Sequence, residues 1–535
     1  MAVTETSHRK DFGAYYTPPA MAQALVDWAV RSPTDTVLDP SFGGLAFLTA
    51  AHNRLRELGC SQPARHLYGT DLDEAAFAGA ADVAALGATL VHRDFLRIAA
   101  DGRLLPRTTT VVGNPPYVRY QSWKEARERG RVIAANHGVR LTKLASSWAP
   151  LLLHAADFVA PRGRLAQVLP AELIHAQYSE GVLDTICAGF SRVVVAMFDE
   201  HVFPGAQEEV VLLLAEGRGG RTDGVEVLSF RNVAELTIPS VASQTRHVDT
   251  EHKLLAGLLE PTAIAVYDRL RTGDQTRLLG ELASVDIGAV TGSNEFFIRP
   301  ADELAARGIP DGVLHPAIAK AKEVPGAQLR TDEVSRRMLV VEAKSYAHTR
   351  AMSELIAEGE EAGFHERYKC RIRTPWYAIP ATQVTRPPHL FLTYMSSDVP
   401  RLVANQAGAL STNTVHAVRL LNGTDPEALA ASFYNSLTLL STELVGRSYG
   451  GGVLKLEPTE AERIVMPRPS KAHRRLLPEA DRLLRARRYD ELRDTVDEAI
   501  LVRDLGLTAQ DVARLRRAVD RLRGRRRARA TRRAR

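Results

Sequence analysis

Thr108-Thr109-Thr110-Val111-Val112-Gly113-Asn114-Pro115-Pro116-Tyr117 is the stretch on which the reading of this chain turns. Five β-favouring residues followed by glycine read as a buried strand. The strand has to stop there, because neither proline can donate to a ladder and Pro115 biases Asn114 away from helix. Asn114 is therefore held at a strand's carboxyl end, the edge at which ligands sit in open α/β sheets. Within four residues this corner offers an acceptor oxygen, a rigid backbone carbonyl and an aromatic face. Such a set suits a planar base bearing an amino group.

The segments around it repeat a strand, turn, helix rhythm. Thr36-Val37-Leu38-Asp39-Pro40-Ser41-Phe42-Gly43-Gly44-Leu45 gives a strand and a Gly-containing turn, with a helix continuing to about Leu58. Small residues in such a turn let the backbone approach a ligand, and Asp39 can accept from an ammonium or ordered water. A second strand, His66 to Asp73, ends in acid. Asp71 there suits the two hydroxyls of an unphosphorylated ribose, with Asp73 expected to cap the next helix. A third segment ends in Asp94-Phe95. Ahead of all three, Gly13-Ala14-Tyr15-Tyr16-Thr17-Pro18-Pro19 leads into a helical pattern from Ala20 to Val30.

Beyond the corner, Arg119 to Ala145 is polar, with a helix-like piece from Trp123 to Arg131, and suits a lid or a strand-contacting loop. A helix from Ser146 to Ala160 and a strand from Gly163 to Pro170 follow. Val193–Phe198 and Glu209–Ala215 read as a hairpin at the sheet edge. The alternation predicts an α/β fold with a doubly wound, mostly parallel Rossmann-like sheet.

Asn114-Pro115-Pro116-Tyr117 resembles the catalytic motif of amino-group methyltransferases, above all the N6-adenine DNA methyltransferases. The resemblance implies that the Asn114 side chain and the Pro115 carbonyl accept from the target amino group, while Tyr117 stacks on the base. It implies S-adenosylmethionine as cofactor. Tyr16-Thr17-Pro18 resembles the motif closing over its methionine end, and Asp39, Pro40, Gly43 and Gly44 the cofactor loop. Asp71 matches the ribose acid, and Asp94 and Phe95 the motif that meets the cofactor's adenine. Val202-Phe203-Pro204 resembles the segment whose aromatic packs on the extruded base. Motif order matches the gamma group. One departure stands out: the family pattern Asp-Pro-x-x-Gly-x-Gly has Leu45 in the second glycine's place.

The chain has 535 residues, too many for one core, with 45% hydrophobic and 25% charged residues. No apolar run reaches membrane-spanning length and MAVTETSHRK lacks a signal peptide's apolar core, so a cytoplasmic location without membrane contact is expected. Cys60, Cys187 and Cys370 make neither a zinc spacing nor a disulfide framework, and no metal is expected. The net charge is +6 and the pI about 9.2. Much of the excess lies in RLRGRRRARATRRAR, which reads either as a phosphate-attracting run or as a solvated tail.

From Leu278 short strands and loops take over. Asn294, Trp376, Arg447, Tyr449 and Lys455, within segments resembling the target-recognition half of the gamma group, are candidate DNA contacts. Met338 to Lys344, with Asp332 upstream, mimics a metal-dependent nuclease site through Glu342 and Lys344. The expected domains are a catalytic domain at 1–220, a connecting segment at 221–277, a mixed α+β target-recognition domain at 278–470 and a helical, Arg-rich C-terminal segment at 471–535. The expected activity is base-flipping methylation of adenine N6 in specific double-stranded DNA, in a restriction-modification or phage-defence setting, with a separate cognate restriction endonuclease as candidate partner. The competing readings are methylation of RNA or protein glutamine, or a non-catalytic DNA-binding subunit.

Overall fold

The computed structural model describes residues 17–118, 124–141, 145–200, 202, 209–237, 247–248, 254–341, 349–380, 384, 386–421, 423–449 and 451–528. It divides into two units, the first running to Leu259 and the second from Glu260 to Arg533.

The first unit is built on one nine-stranded sheet. Its strands are β1 (Val37–Asp39), β2 (Leu67–Asp71), β3 (Thr89–His92), β4 (Thr108–Gly113), β5 (Val159–Pro170), β6 (Phe190–Phe198), β7 (Val210–Arg218), β8 (Val225–Phe230) and β9 (His247–Val248), in the order β3-β2-β1-β4-β5-β7-β6-β8-β9. The pairs from β3 through β5 are parallel, whereas β7 lies antiparallel between β5 and β6. The principal helices are α1 (Pro19–Ala29), α2 (Ala46–Glu57), α3 (Glu74–Gly79), α4 (Ala81–Ala85), α5 (Lys124–Asn136), α6 (Trp148–Asp157) and α7 (Gln177–Gly189).

Pro19 opens α1 at a position where a missing N–H costs nothing. Its apolar face, Met21, Leu25, Val26 and Trp28, joins Val37, Phe42, Leu48, Val112, Ala166 and Val168 in one core. Thr110 Oγ1 donates to the Ala29 carbonyl at 3.2 Å, which ties the end of α1 to β4. β2 and β3 stop in register at Asp71 and His92, β1 stops at Asp39 opposite Gly69, and Gly113 ends β4. The chemistry-bearing residues are thereby collected on one edge.

Two expectations are corrected here. The β6–β7 pair is antiparallel but is not at the sheet edge, because β8 pairs in parallel with β6 and β9 with β8. For the same reason the first unit does not close near residue 220 and residues 221–277 are not a plain connector. Gly219-Gly220 is a turn, and Val225–Phe230 returns to cover an edge that would otherwise present unpaired backbone groups.

The second unit contains mixed sheets and helices. One sheet has five strands, built around Leu390–Leu392, another four around Arg336–Leu339, and a third pairs Met395–Ser396, Val453–Lys455 and Arg447–Tyr449. The helix Ser436–Val445 is buried along its whole length. The C-terminal helices are tied to it: Asp497 accepts from the Ser436 amide at 2.6 Å and from Arg516 Nε at 2.7 Å. The last described helix is Ala509–Ala528, and its Arg523, Arg525 and Arg526 are buried rather than offered to phosphate or solvent. Arginine stems pack well along apolar surface, and a carboxylate partner makes burial of the head tolerable.

Candidate active site

The corner after β4 is held by groups from three directions. Ser147, just before α6 and fully buried, donates from Oγ to the Pro116 carbonyl and accepts the Val118 amide at 2.9 Å. The Ser147 amide in turn donates to the Val118 carbonyl at 2.9 Å. Asn114 Nδ2 donates to Thr17 Oγ1 at 3.2 Å, and Ser41 Oγ reaches the Asn114 carbonyl at 3.4 Å. The Tyr117 hydroxyl is shared between Asn114 Oδ1 and the Val168 carbonyl at 3.0 Å. Its ring packs against the core beside Val168.

Asp39, at the end of β1, is fully buried. Its Oδ1 accepts the Ser41 amide at 3.1 Å, while Oδ2 has no partner among the described residues. Burial pushes its carboxyl up to about 8, the nearby Asp71 charge adds to that, and the Ser41 amide opposes it. Pro40 is buried behind it, and Gly43 and Gly44 are exposed. Asp71 Oδ2 accepts the Gly43 amide at 2.8 Å and Oδ1 accepts the Asp73 amide at 2.9 Å, so this carboxylate shapes the turn from the neighbouring strand. Asp73 caps α3 through the Ala75 amide at 3.0 Å.

Leu45 stands at the start of α2 with φ at 64°. This is the left-handed conformation that a glycine adopts without cost. The departure from the family pattern changes the residue while keeping a glycine-like backbone. Asp94 Oδ1 accepts the Leu96 amide at 3.0 Å, and Oδ2 lies 3.5 Å from Arg129 of α5. Phe95 is buried, its ring centroid 4.7 Å from His154 and 5.0 Å from Phe158.

Tyr16, Phe203, Glu342 and Lys344 lie outside the described residues. Thr17 is buried at the start of α1 with Pro18 beside it, so the structure brings Thr17, Asp39, Asn114 and Tyr117 together. Sequence reasoning missed Ser147 and Gln167. Gln167 on β5 pairs in register with Gly113 and is 2% exposed, with Nε2 unpartnered. A polar residue inside the apolar run Leu165 to Leu169 was the available signal.

In the second unit, Arg447, Tyr449 and Lys455 share one hairpin. Tyr449 is 57% exposed, with Lys455 Nζ 5.6 Å from its ring centroid. Lys455 also pairs with Glu457 at 2.7 Å, and Arg447 with Glu460. Asn294 accepts from Thr291 Oγ1 at 2.6 Å, whereas Trp376 packs on Phe296 at 4.7 Å and donates to Glu360 at 3.0 Å. Two of the five candidates, Asn294 and Trp376, thus flank a different core from the hairpin. Among the described residues no group of three or more His, Cys, Asp or Glu could hold a metal ion, and no helix is long and apolar enough to cross a membrane.

Strand ends, a glycine turn and the Asn-Pro-Pro-Tyr corner define a Rossmann-like methyltransferase. Residues 2–188 match the family described as N-6 DNA Methylase, and residues 251–501 match that described as Type II methyltransferase M.Eco57I, C-terminal domain. The chain belongs to the N6-adenine DNA methyltransferases of the restriction-modification type. Among its relatives, the Type II methyltransferase M.XamI of Xanthomonas campestris pv. amaranthicola is 27% identical over 86% of each chain. M.AccI of Acinetobacter calcoaceticus is 22% identical, also over 86% of each. The fold is similar to that of the Type IIL restriction-modification enzyme MmeI in complex with DNA, at a TM-score of 0.53 and 12% identity, covering 93% of this chain and 74% of that one. It is also similar to that of the DrdV–DNA complex, at 0.52 and 14%, covering 90% and 58%. Its enzymatic activity is methylation of adenine in DNA, and the family implies S-adenosylmethionine as methyl donor. A fully buried carboxylate with an unpartnered oxygen beside two exposed glycines fits a cationic ligand of that kind.

Proposed function

We propose that the chain methylates adenine N6 within a specific sequence of double-stranded DNA after swinging the target nucleotide out of the stack, as the modification half of a system whose endonuclease is a separate chain. The observation that carries this reading is the convergence of Asn114, at the end of β4, and Asp39, at the end of β1, on Ser41, whose hydroxyl donates to the Asn114 carbonyl and whose amide donates to Asp39. S-adenosylmethionine, when bound, supplies a methyl group on a sulfonium centre.

The residues of the chain do the rest. An aromatic amine is a poor nucleophile because its lone pair is delocalised into the ring. Asn114 Oδ1 and the Pro115 carbonyl, accepting its two hydrogens, favour a pyramidal nitrogen that can attack. Pro116 keeps the corner rigid, since its ring fixes φ. Tyr117 and Phe203 are the two faces against which the base stacks, offsetting an extrusion cost of a few kcal/mol. Asp39 holds the cofactor's ammonium and Asp71 its ribose hydroxyls, each Asp71 oxygen keeping a lone pair beyond its backbone bond. Asp94 and Phe95 border the cofactor's adenine, and Tyr16, Thr17 and Pro18 close over its methionine end. Asn294, Trp376, Arg447, Tyr449 and Lys455 are assigned to DNA.

Asn114→Ala tests this directly. A radiolabelled methyl-transfer assay should show activity lost while S-adenosylmethionine binding persists; unchanged turnover would sink the assignment.

A further inference from the structure

Two polar atoms at the catalytic edge are buried without a partner among the described residues: Asp39 Oδ2 and Gln167 Nε2. They come from β1 and β5, on either side of β4, and Gly113 lies between them. A side chain at Gly113 would begin 3.0 Å from Asp39 Oδ1, 3.4 Å from Pro40 Cδ and 3.6 Å from Gln167 Nε2. The absence of a side chain there leaves open the space that separates the carboxyl from the amide. An amide donor and a carboxylate acceptor are chemically complementary, and leaving both unmade inside a protein is costly.

We propose that Gln167 is a positioning residue for S-adenosylmethionine, its Nε2 donating to the Asp39 carboxylate so that this anion is held in place for the cofactor's ammonium. The inference rests on the assignment of Asp39 to the cofactor. Ser41 fixes one oxygen of Asp39 from the loop side. In the cofactor-bound state Gln167 Nε2 closes on the oxygen that stands open here, so that the carboxylate is held from both sides when the cation arrives. Burial disfavours the charged form of Asp39, as does Asp71 from β2, the charge that acts on it among the described residues. A donor on the open oxygen counters both effects, because a hydrogen bond to the ionised form favours ionisation. Gln167 touches neither methyl nor base, so its effect is confined to cofactor affinity and its dependence on pH.

The test is calorimetric titration of the full chain with S-adenosylmethionine between pH 6 and about 9, spanning the Asp39 carboxyl. Gln167→Met keeps the side chain's length and removes the donor. It should weaken binding about five- to tenfold near neutral pH, as expected for one lost hydrogen bond of ordinary strength acting on the cofactor through Asp39, and move the pH profile upward. A folded Gln167→Met protein with wild-type affinity and an unmoved profile would overturn the proposal. Should that variant not fold, Gln167→Glu decides: its acid replaces the donor, and its affinity should fall behind the wild type increasingly as pH rises, whereas a parallel profile would count against the idea. Asp39→Asn separates the two levels of argument. If Asp39→Asn binds like the wild type, the assignment of Asp39 itself fails; if it loses binding while Gln167→Met does not, only the role of Gln167 fails.

Discussion

The Tyr117 hydroxyl occupies Asn114 Oδ1, the same oxygen that the proposed mechanism offers to the target amino group. The corner is therefore satisfied by its own tyrosine in this state, and an entering amino group competes with that hydroxyl for the oxygen's two lone pairs. A buried acceptor left bare would cost more than one internally bonded, which is a physical reason for the arrangement.

Tyr117→Phe keeps an aromatic face and frees the acceptor. Exchanging a hydroxyl bond of about 1 kcal/mol for none should lower the KM for DNA up to about fivefold while kcat stays within a few fold. Tyr117→Ala should lose activity heavily. Steady-state kinetics on both variants checks this, and equal losses in the two would contradict it.

The raised Asp39 carboxyl makes stability fall with pH. The folded protein holds the Asp39 proton up to about pH 8, while the unfolded chain releases it near 3.8. Between those values the folded state binds more protons, so the slope is negative, and the penalty is complete above about 8. Asn at this position cannot ionise. The thermal midpoint of Asp39→Asn should exceed that of the wild type at pH 8 and converge with it near pH 4, as scanning calorimetry would show.

At Leu45 conformation and residue type disagree. A leucine with φ at 64° bears a backbone cost of about 1–2 kcal/mol that glycine escapes. Replacing Leu45 by Ala or by Gly removes the same packing against the core, so the comparison isolates the backbone. Leu45→Gly should be more stable than Leu45→Ala by about 1 kcal/mol in denaturant unfolding, the reverse of helix propensity.

Ser147→Ala removes the hydroxyl that braces the Pro116–Val118 backbone. The Val118 amide would lose its acceptor, at about 1–3 kcal/mol. The expected outcome is a reduced kcat at unchanged S-adenosylmethionine affinity, measured by single-turnover kinetics beside calorimetry.

Arg526 and Glu443 form a bidentate pair, at 2.8 and 3.1 Å, with both side chains at most 5% exposed. Arg526 also donates to the Ser397 carbonyl at 3.1 Å, just after the strand Met395–Ser396, and to that of Gly452, in the turn of the hairpin that carries Tyr449 and Lys455. Arg526→Ala leaves Glu443 buried and unpaired and should cost about 3–5 kcal/mol in chemical denaturation. A loss below about 1 kcal/mol would mean that water reaches the pair.

Much of the first unit was legible without coordinates. Asn114, Asp39 and Asp71 could be placed at strand ends because the signals that stop a strand, a glycine, a proline or an acidic turn residue, act within a few positions of the residue they place. The capping role of Asp73 was readable for the same reason. Leu45 was visible as a departure, but its left-handed backbone was not. Gln167 looked like one polar letter in a strand until Gly113 was seen beside it.

The sequence by itself determined the doubly wound sheet, the order of the motifs and the chemistry at the strand ends, since apolar periodicity and turn residues are local properties of the chain. Only the tertiary structure decided that β7 inserts between β5 and β6, that Ser147 braces the corner, and that Arg526 turns inward to Glu443 instead of outward to phosphate. The physical reason is the same in each case. An arginine, a serine or a strand has several energetically comparable partners available, and the choice among them is made by whichever groups the packed core leaves within hydrogen-bonding reach.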